Sequence, residues 1–159
     1  MKTYILFATV ILNALSTGFF FAWSVSVILG TKKVGDLTYL ETMQSINREI
    51  LNPVFFTVFF GSMLMLFVSA YLQYSYRPMF WFIIASAIVY LIGTFGVTAI
   101  GNVPLNNELE TLNLKGMSLS DLKNFRTYYE SNWNRYHLVR TVANLGSFIL
   151  LVISIFIRK

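Results

Sequence analysis

Four apolar runs, each about as long as a bilayer is thick, predict an all-α membrane protein: a four-transmembrane-helix bundle with a helical polar cap formed by the 1–2 and 3–4 connections. Two features of the whole chain agree. Only 12% of residues are charged, against about 25% in soluble domains, and mean hydropathy is +0.63. The runs are too long, and alternate too little, for the strands of a membrane barrel. At 159 residues the chain reads as a single integral membrane domain, 1–159.

The first span covers about 4–29. Its apolar stretch exceeds the length of a secretory signal and no small-residue cleavage site follows, so it reads as a retained helix. It contains Asn13, Ser16, Thr17, Ser24 and Ser26; of these Asn13, Thr17 and Ser24, with Phe20 and Phe21, recur at helical spacing as one polar stripe, and Gly18 is expected to allow close helix approach. That stripe either bonds neighbouring helices or lines a cavity. The second span, about 53–72, opens with Asn52 as N-cap and Pro53 at N1. A tight turn, QYSYR (73–77), leads to the third span, about 78–103, which starts on Pro78. The fourth covers about 137–157.

The cap comprises 30–52 and 104–136. In the first segment Leu37, Leu40, Met43, Ile46 and Ile50 follow three-to-four spacing, predicting an amphipathic helix with Asp36 as its N-cap. Gln44 and Asn47 share one face of it. In the second, Gly101, Asn102 and Pro104 should end the third helix. Ser118–Asp121 then offers a cap for one long helix that starts outside the lipid and runs on through the fourth span, with Gly146 its one weak point.

The terminal side carries Lys2, Arg77, Arg158 and Lys159 with no acid; the cap side carries eight Lys/Arg and all seven acids. Lys/Arg counting alone favours a cytoplasmic cap. Much of that charge belongs to folded, paired helices, so the termini are expected in the cytoplasm, in a plasma or inner membrane.

The polar groups near the membrane surface concentrate on the cap side. Trp133, His137, Arg140, Thr141 and Asn144 fall on one face of the fourth helix. Arg140 lies a turn inside the apolar run, where a charge should face protein rather than lipid. Glu130 is placed to pair with His137 or an arginine. The competing reading is an interfacial belt, which suits Tyr128, Tyr129 and Tyr136. Asn102 and Pro104 are explained by a helix end; Asn106 and Asn107 are not, and offer paired carboxamides to a ligand.

Known chemical signatures are sparse. There are no cysteines, so no disulfide, thiol catalysis or cysteine-bound metal. One histidine cannot build a histidine-rich metal site, and no metal site is expected. No cofactor is predicted; haem on His137 is the open alternative. No long basic run points to nucleic acid. The expected partners are membrane lipids, a hydrophobic small molecule and identical subunits. A pocket at the cap would use His137, with an unperturbed pKa of about 6.5, as base. Arg140, Asn106 and Asn107 would steady an enolate or phenolate oxygen. Trp23, Phe20, Phe21 and Trp133 would bracket a flat aromatic ligand.

The segments GFFFAWSVSVILG, LETMQSINREILNPVFF, GNVPLNNEL and WNRYHLVRTVANLGSFILL, in that order, resemble the DUF1772 family of small integral membrane proteins, which includes the fungal anthrone oxygenases. The resemblance implies a four-helix membrane protein and, for its characterised members, oxidation of an anthrone to an anthraquinone by O2 without an established cofactor requirement. The family-like positions are Gln44, Asn47 and Pro53, then Asn102, Pro104, Asn106 and Asn107, then Trp133, His137, Arg140 and Thr141. The expected catalytic pair is His137 and Arg140; the expected ligand contacts are Trp23, Gln44, Asn47, Asn102, Asn106, Asn107, Trp133 and Asn144. The alternative is a non-enzymatic lipid- or quinone-binding protein, or a structural membrane subunit.

Overall fold

The computed structural model describes residues 1–157; Arg158 and Lys159, counted above for orientation, lie outside the described residues. Five helices account for nearly all of it: α1 (Lys2–Thr31), α2 (Asp36–Glu49), α3 (Pro53–Leu72), α4 (Arg77–Glu110) and α5 (Leu119–Phe156). All but α2 are long and apolar enough to cross a membrane. Around the bundle the order is α1, α3, α4, α5, with α5 closing back on α1. Only 28–33% of each apolar window is buried inside the bundle. Phe7, Leu64 and Ile100 lie largely exposed on its outside. Such a surface suits lipid and not water; this is an integral membrane protein.

Lipid removes the hydrophobic drive between helices, so close approach and hydrogen bonds must hold them. Ser86 and Ser147 exchange bonds between α4 and α5, each hydroxyl reaching the other's carbonyl at 2.8–2.9 Å. Thr17 donates to Asn144 Oδ1 at 2.6 Å, and Asn144 Nδ2 donates to Ser16 at 2.9 Å, tying α1 to α5. Thr9 meets Ser69 of α3 at 2.7 Å. Thr17 and Ser16 of α1 thus bond α5, whereas Asn13 donates to the Thr9 carbonyl of its own helix and its buried Oδ1 has no partner. Gly18 is not part of this: a Cβ there would meet nothing within 4 Å. The close approach is at Gly93, where a Cβ would lie 2.4 Å from the Cβ of Ala143.

The cap has its own core, built from Tyr39, Leu40 and Met43 of α2, Leu105 and Leu109 of α4, Leu114 in a single 3₁₀ turn, and Leu122, Tyr129 and Trp133 of α5. Leu37, expected in the apolar face, is exposed, and Tyr39 takes its place. Asn52 caps α3 by accepting from the Phe55 N–H at 2.9 Å, and Ser118 caps α5 by accepting from Asp121 N–H at 3.2 Å. Asp36 is no cap: Gly35 occupies that position, and Asp36 instead accepts from Arg126 at 3.0 Å. The guanidinium is needed there because it also bonds the carbonyls of Thr31, Lys32 and Val34, where α1 ends.

One expectation about α4 is overturned. The helix does not stop at Asn102 but continues through Pro104 to Glu110. Proline breaks a regular helix by removing an N–H and crowding the preceding turn. Here the turn before it, Thr98–Asn102, is π-helical and wider, which gives the ring room. Two more π-helical stretches occur, Trp23–Val27 in α1 and Tyr90–Gly96 in α4.

Candidate functional site

The long helix α5 sets the geometry. Its buried positions run Tyr129, Trp133, His137, Arg140, Thr141 and Asn144, one continuous stripe from cap to bundle. The π-helical turn of α1 brings Trp23 and Ser24 opposite that stripe. Trp133 stacks on His137 with ring centroids 5.1 Å apart and planes 10° apart. Trp23 lies 5.7 Å from Trp133, and Phe20 lies 6.0 Å from His137.

Both nitrogens of His137 are engaged. Arg140 Nε and Nη2 lie 3.3 and 3.2 Å from Nδ1. A guanidinium only donates, so Nδ1 is an acceptor and the ring proton sits on Nε2. From there it is donated to Ser24 Oγ at 2.9 Å, and Ser24 passes its own proton to the Phe20 carbonyl at 3.2 Å. Thr141 Oγ1 donates to the His137 carbonyl at 2.7 Å and stands 3.3 Å from Nε2. A haem iron on His137 would have to displace one of these partners. Glu130 does not reach the histidine; it pairs with Arg126 at 3.0 Å.

Beside this pair lies a cavity of about 640 Å³, walled by α1, α3, α4 and α5 and roofed by the end of α2. Small-molecule sites span about 300–1,000 Å³. His137, Arg140, Trp23, Trp133, Asn47, Asn102, Asn106 and Asn107 all line it. Asn106 Oδ1 accepts from Trp133 Nε1 at 2.9 Å and from Tyr129 at 3.0 Å, which fixes the indole edge. Asn47 donates to the same tyrosine hydroxyl at 3.3 Å. Asn102 Nδ2 donates to the Trp133 carbonyl at 3.1 Å, while its buried Oδ1 has no partner. Asn107 is exposed at the cavity edge.

Gln44 and Asn144 do not line the cavity. Gln44 donates to the Leu109 and Leu112 carbonyls at 2.9 and 3.2 Å, closing the end of α4. Asn144 lies deeper, between Thr17 and Ser16. Phe21, read as an aromatic bracket, faces outward. The wall opposite the histidine comes instead from Phe55, Phe56, Phe59 and Phe60 of α3, with Phe95 of α4. Phe55 and Phe59 stack at 5.3 Å. Their four-residue repeat was visible in PVFFTVFF, but nothing local told an inward phenylalanine from a lipid-facing one. A smaller cavity of about 330 Å³ adjoins, between α1 and α3, and shares Phe19, Phe20, Ile50, Phe55 and Phe59 with the larger. At the cap edge Arg48 and Glu110 form an ion pair at 2.8 Å.

Neither the curated proteins nor the solved structures contain a match to this chain. Residues 55–150 match the family model described as anthrone oxygenase. The match takes in the phenylalanine wall, the asparagines of α4, and Trp133, His137 and Arg140, and leaves out α1 and α2. It spans more than half of the chain, which thus belongs to the anthrone oxygenase family.

Proposed function

We propose that this protein binds a flat, apolar aromatic molecule of the anthrone type and oxidises it to the quinone with molecular oxygen. One observation carries the reading: a single cavity joins an aromatic wall to the His137–Arg140 pair. Family membership supports it. An anthrone has an acidic methylene conjugated with a carbonyl. His137 removes one methylene proton, and Arg140 holds the enolate oxygen. The electron-rich carbon then gives an electron to O2, and the resulting radicals combine as a hydroperoxide. Loss of the second C–H proton with hydroxide leaves the new carbonyl. One O2 is consumed and one water released for each methylene oxidised, so the step balances with oxygen alone. The smaller cavity, bounded by α1, α3 and the turn between α2 and α3, gives a membrane-dissolved substrate a lateral way in.

A second reading, retention of an aromatic ligand without turnover, is favoured by the engagement of both histidine nitrogens. Oxygen uptake by the purified protein with an anthrone, corrected for autoxidation, separates the two. The expected result is uptake that His137→Ala lowers by about 100-fold or more, as loss of a general base does. Uptake no faster than autoxidation, with unchanged ligand recovered from the protein, would favour retention.

A further inference from the structure

We infer that the ligand of this cavity binds as an anion, the ionised phenol of a planar aromatic, and that its charged oxygen draws Arg140 away from His137. The inference rests on the cavity being a site for an aromatic ligand, as proposed above, and adds the ligand's charge state and the consequence for the histidine. It starts from an imbalance. Arg140 is 8% exposed, and no carboxylate pairs with it among the described residues. Its hydrogen bonds are few and long: two to His137 Nδ1 at 3.2–3.3 Å and one to Thr98 Oγ1 at 3.4 Å. Otherwise it lies over the rings of Phe20 and Trp133, at 4.8 and 5.0 Å.

Arg126, the other enclosed arginine among the described residues, shows what a balanced guanidinium looks like here. It has two carboxylates at 3.0 Å and three carbonyls. A buried cation without a counter-charge is unfavourable, and a neutral carbonyl on the ligand would leave the charge uncompensated. Arg140 lines the cavity, so an ionised oxygen can meet it directly. The surrounding rings call for that oxygen to be borne on an aromatic system.

The other titratable groups near this point are few. On α5 they are His137 and Tyr129. On α2 and α4 they are Arg48 and Glu110, already bonded to each other at the rim. The lining residues of α1 and α3 are apolar. No neighbouring acid therefore competes with the ligand for Arg140. Once the guanidinium turns to the ligand, the lone pair of Nδ1 is free, while Ser24 and Thr141 still hold the proton on Nε2. Binding itself thus uncovers the base.

The test uses 2-hydroxyanthraquinone, a dye that cannot be oxidised at the ring carbonyls and whose absorption moves to longer wavelength when its phenol ionises. It is titrated into the detergent-solubilised protein below the pH at which the free dye ionises. The expected result is a phenolate band on the bound dye, at least tenfold above the free-dye fraction. Arg140→Gln is expected to bind tenfold more weakly and hold neutral dye. Arg140→Lys should restore part of the band, which a variant that merely misfolds would not do. His137→Gln should keep it. A bound dye that stays neutral, no bound dye, or equal bands in the wild type and Arg140→Gln would each overturn the inference. The two proposals fail separately. A phenolate band without oxygen uptake on an anthrone removes the oxygenase reading alone. Uptake with a neutral dye removes this one alone.

Discussion

His137 and Arg140 share a helix face because they stand three positions apart, and helical spacing alone makes that legible. What spacing does not reveal is what each side chain touches. Ser24 is 113 positions away from His137, and only the folded bundle brings it to Nε2. Gln44 shows the converse. Its place beside Asn47 on one face suggested a shared ligand, yet its amide ends on carbonyls of α4. Tyr39 was not read as core at all, and it carries a measurable consequence. Its phenol is 2% exposed, edge-on to Tyr129 and under the Arg126 guanidinium. Burial holds its pKa well above the usual phenol value, with the charge of Glu130 adding to the effect. Unfolded tyrosine ionises near pH 10. Below that pH both states keep the proton and Tyr39 adds no pH dependence. Above it the unfolded chain ionises first, so stability falls by about 1 kcal/mol by pH 11. Unfolding of the solubilised protein at several alkaline pH values should therefore show a shallower loss in Tyr39→Phe than in wild type. Parallel curves would mean that the phenol ionises equally well in the folded cap.

At the scale of helices, the four spans were legible because twenty apolar residues in a row have few other uses. The end of α4 was not. Gly101, Asn102 and Pro104 have the composition of a stop, and a π-helical turn carries the chain through them. Gly101 serves a different purpose: the Tyr136 ring lies against it, so that a Cβ would come within 2.6 Å of the ring. Gly93 is the sharper case, because its neighbour is the short, rigid side chain of Ala143 on α5. Gly93→Ala should push α4 and α5 apart at a cost of about 1–3 kcal/mol, the usual range for overpacking. Ala143→Gly in the same chain returns the missing space. The double variant should regain most of the thermal midpoint lost by Gly93→Ala. If it does not, the loss has another origin than this contact.

Across the whole molecule, two continuous helices join the cap to the bundle: α4, which reaches the cap core with Leu105 and Leu109, and the longer α5. α5 runs 38 residues without a break, through Gly146, and its buried stripe passes from the cap core to the cavity and on into the bundle. Two separate apolar cores flank that stripe, one in the cap and one in the membrane. The sequence made both layers legible, since polarity changes sharply at 30–52 and 104–136. The cavity at their junction was legible only on its polar side, because asparagine, histidine and arginine stand out near lipid and phenylalanine does not. How the cap is seated over that cavity depends on Arg126. This one side chain ties the cap half of α5 to the end of α1 through three carbonyls and to α2 through Asp36. Hydrogen bonds to a charged group are worth about 1.5–3 kcal/mol each before partners rearrange. Arg126→Ala should loosen α2 while the membrane-spanning stretches, which these bonds touch only at the end of α1 and in the cap half of α5, stay folded. Amide exchange should rise in residues 36–50 and hold steady in 55–70. Ligand retention should weaken about tenfold or more, although Arg126 does not line the cavity, because Asn47 and Ile50 of the roof move with α2. Unchanged exchange in 36–50 would show that the apolar cap core seats α2 by itself, and the roof would then need no ionic anchor.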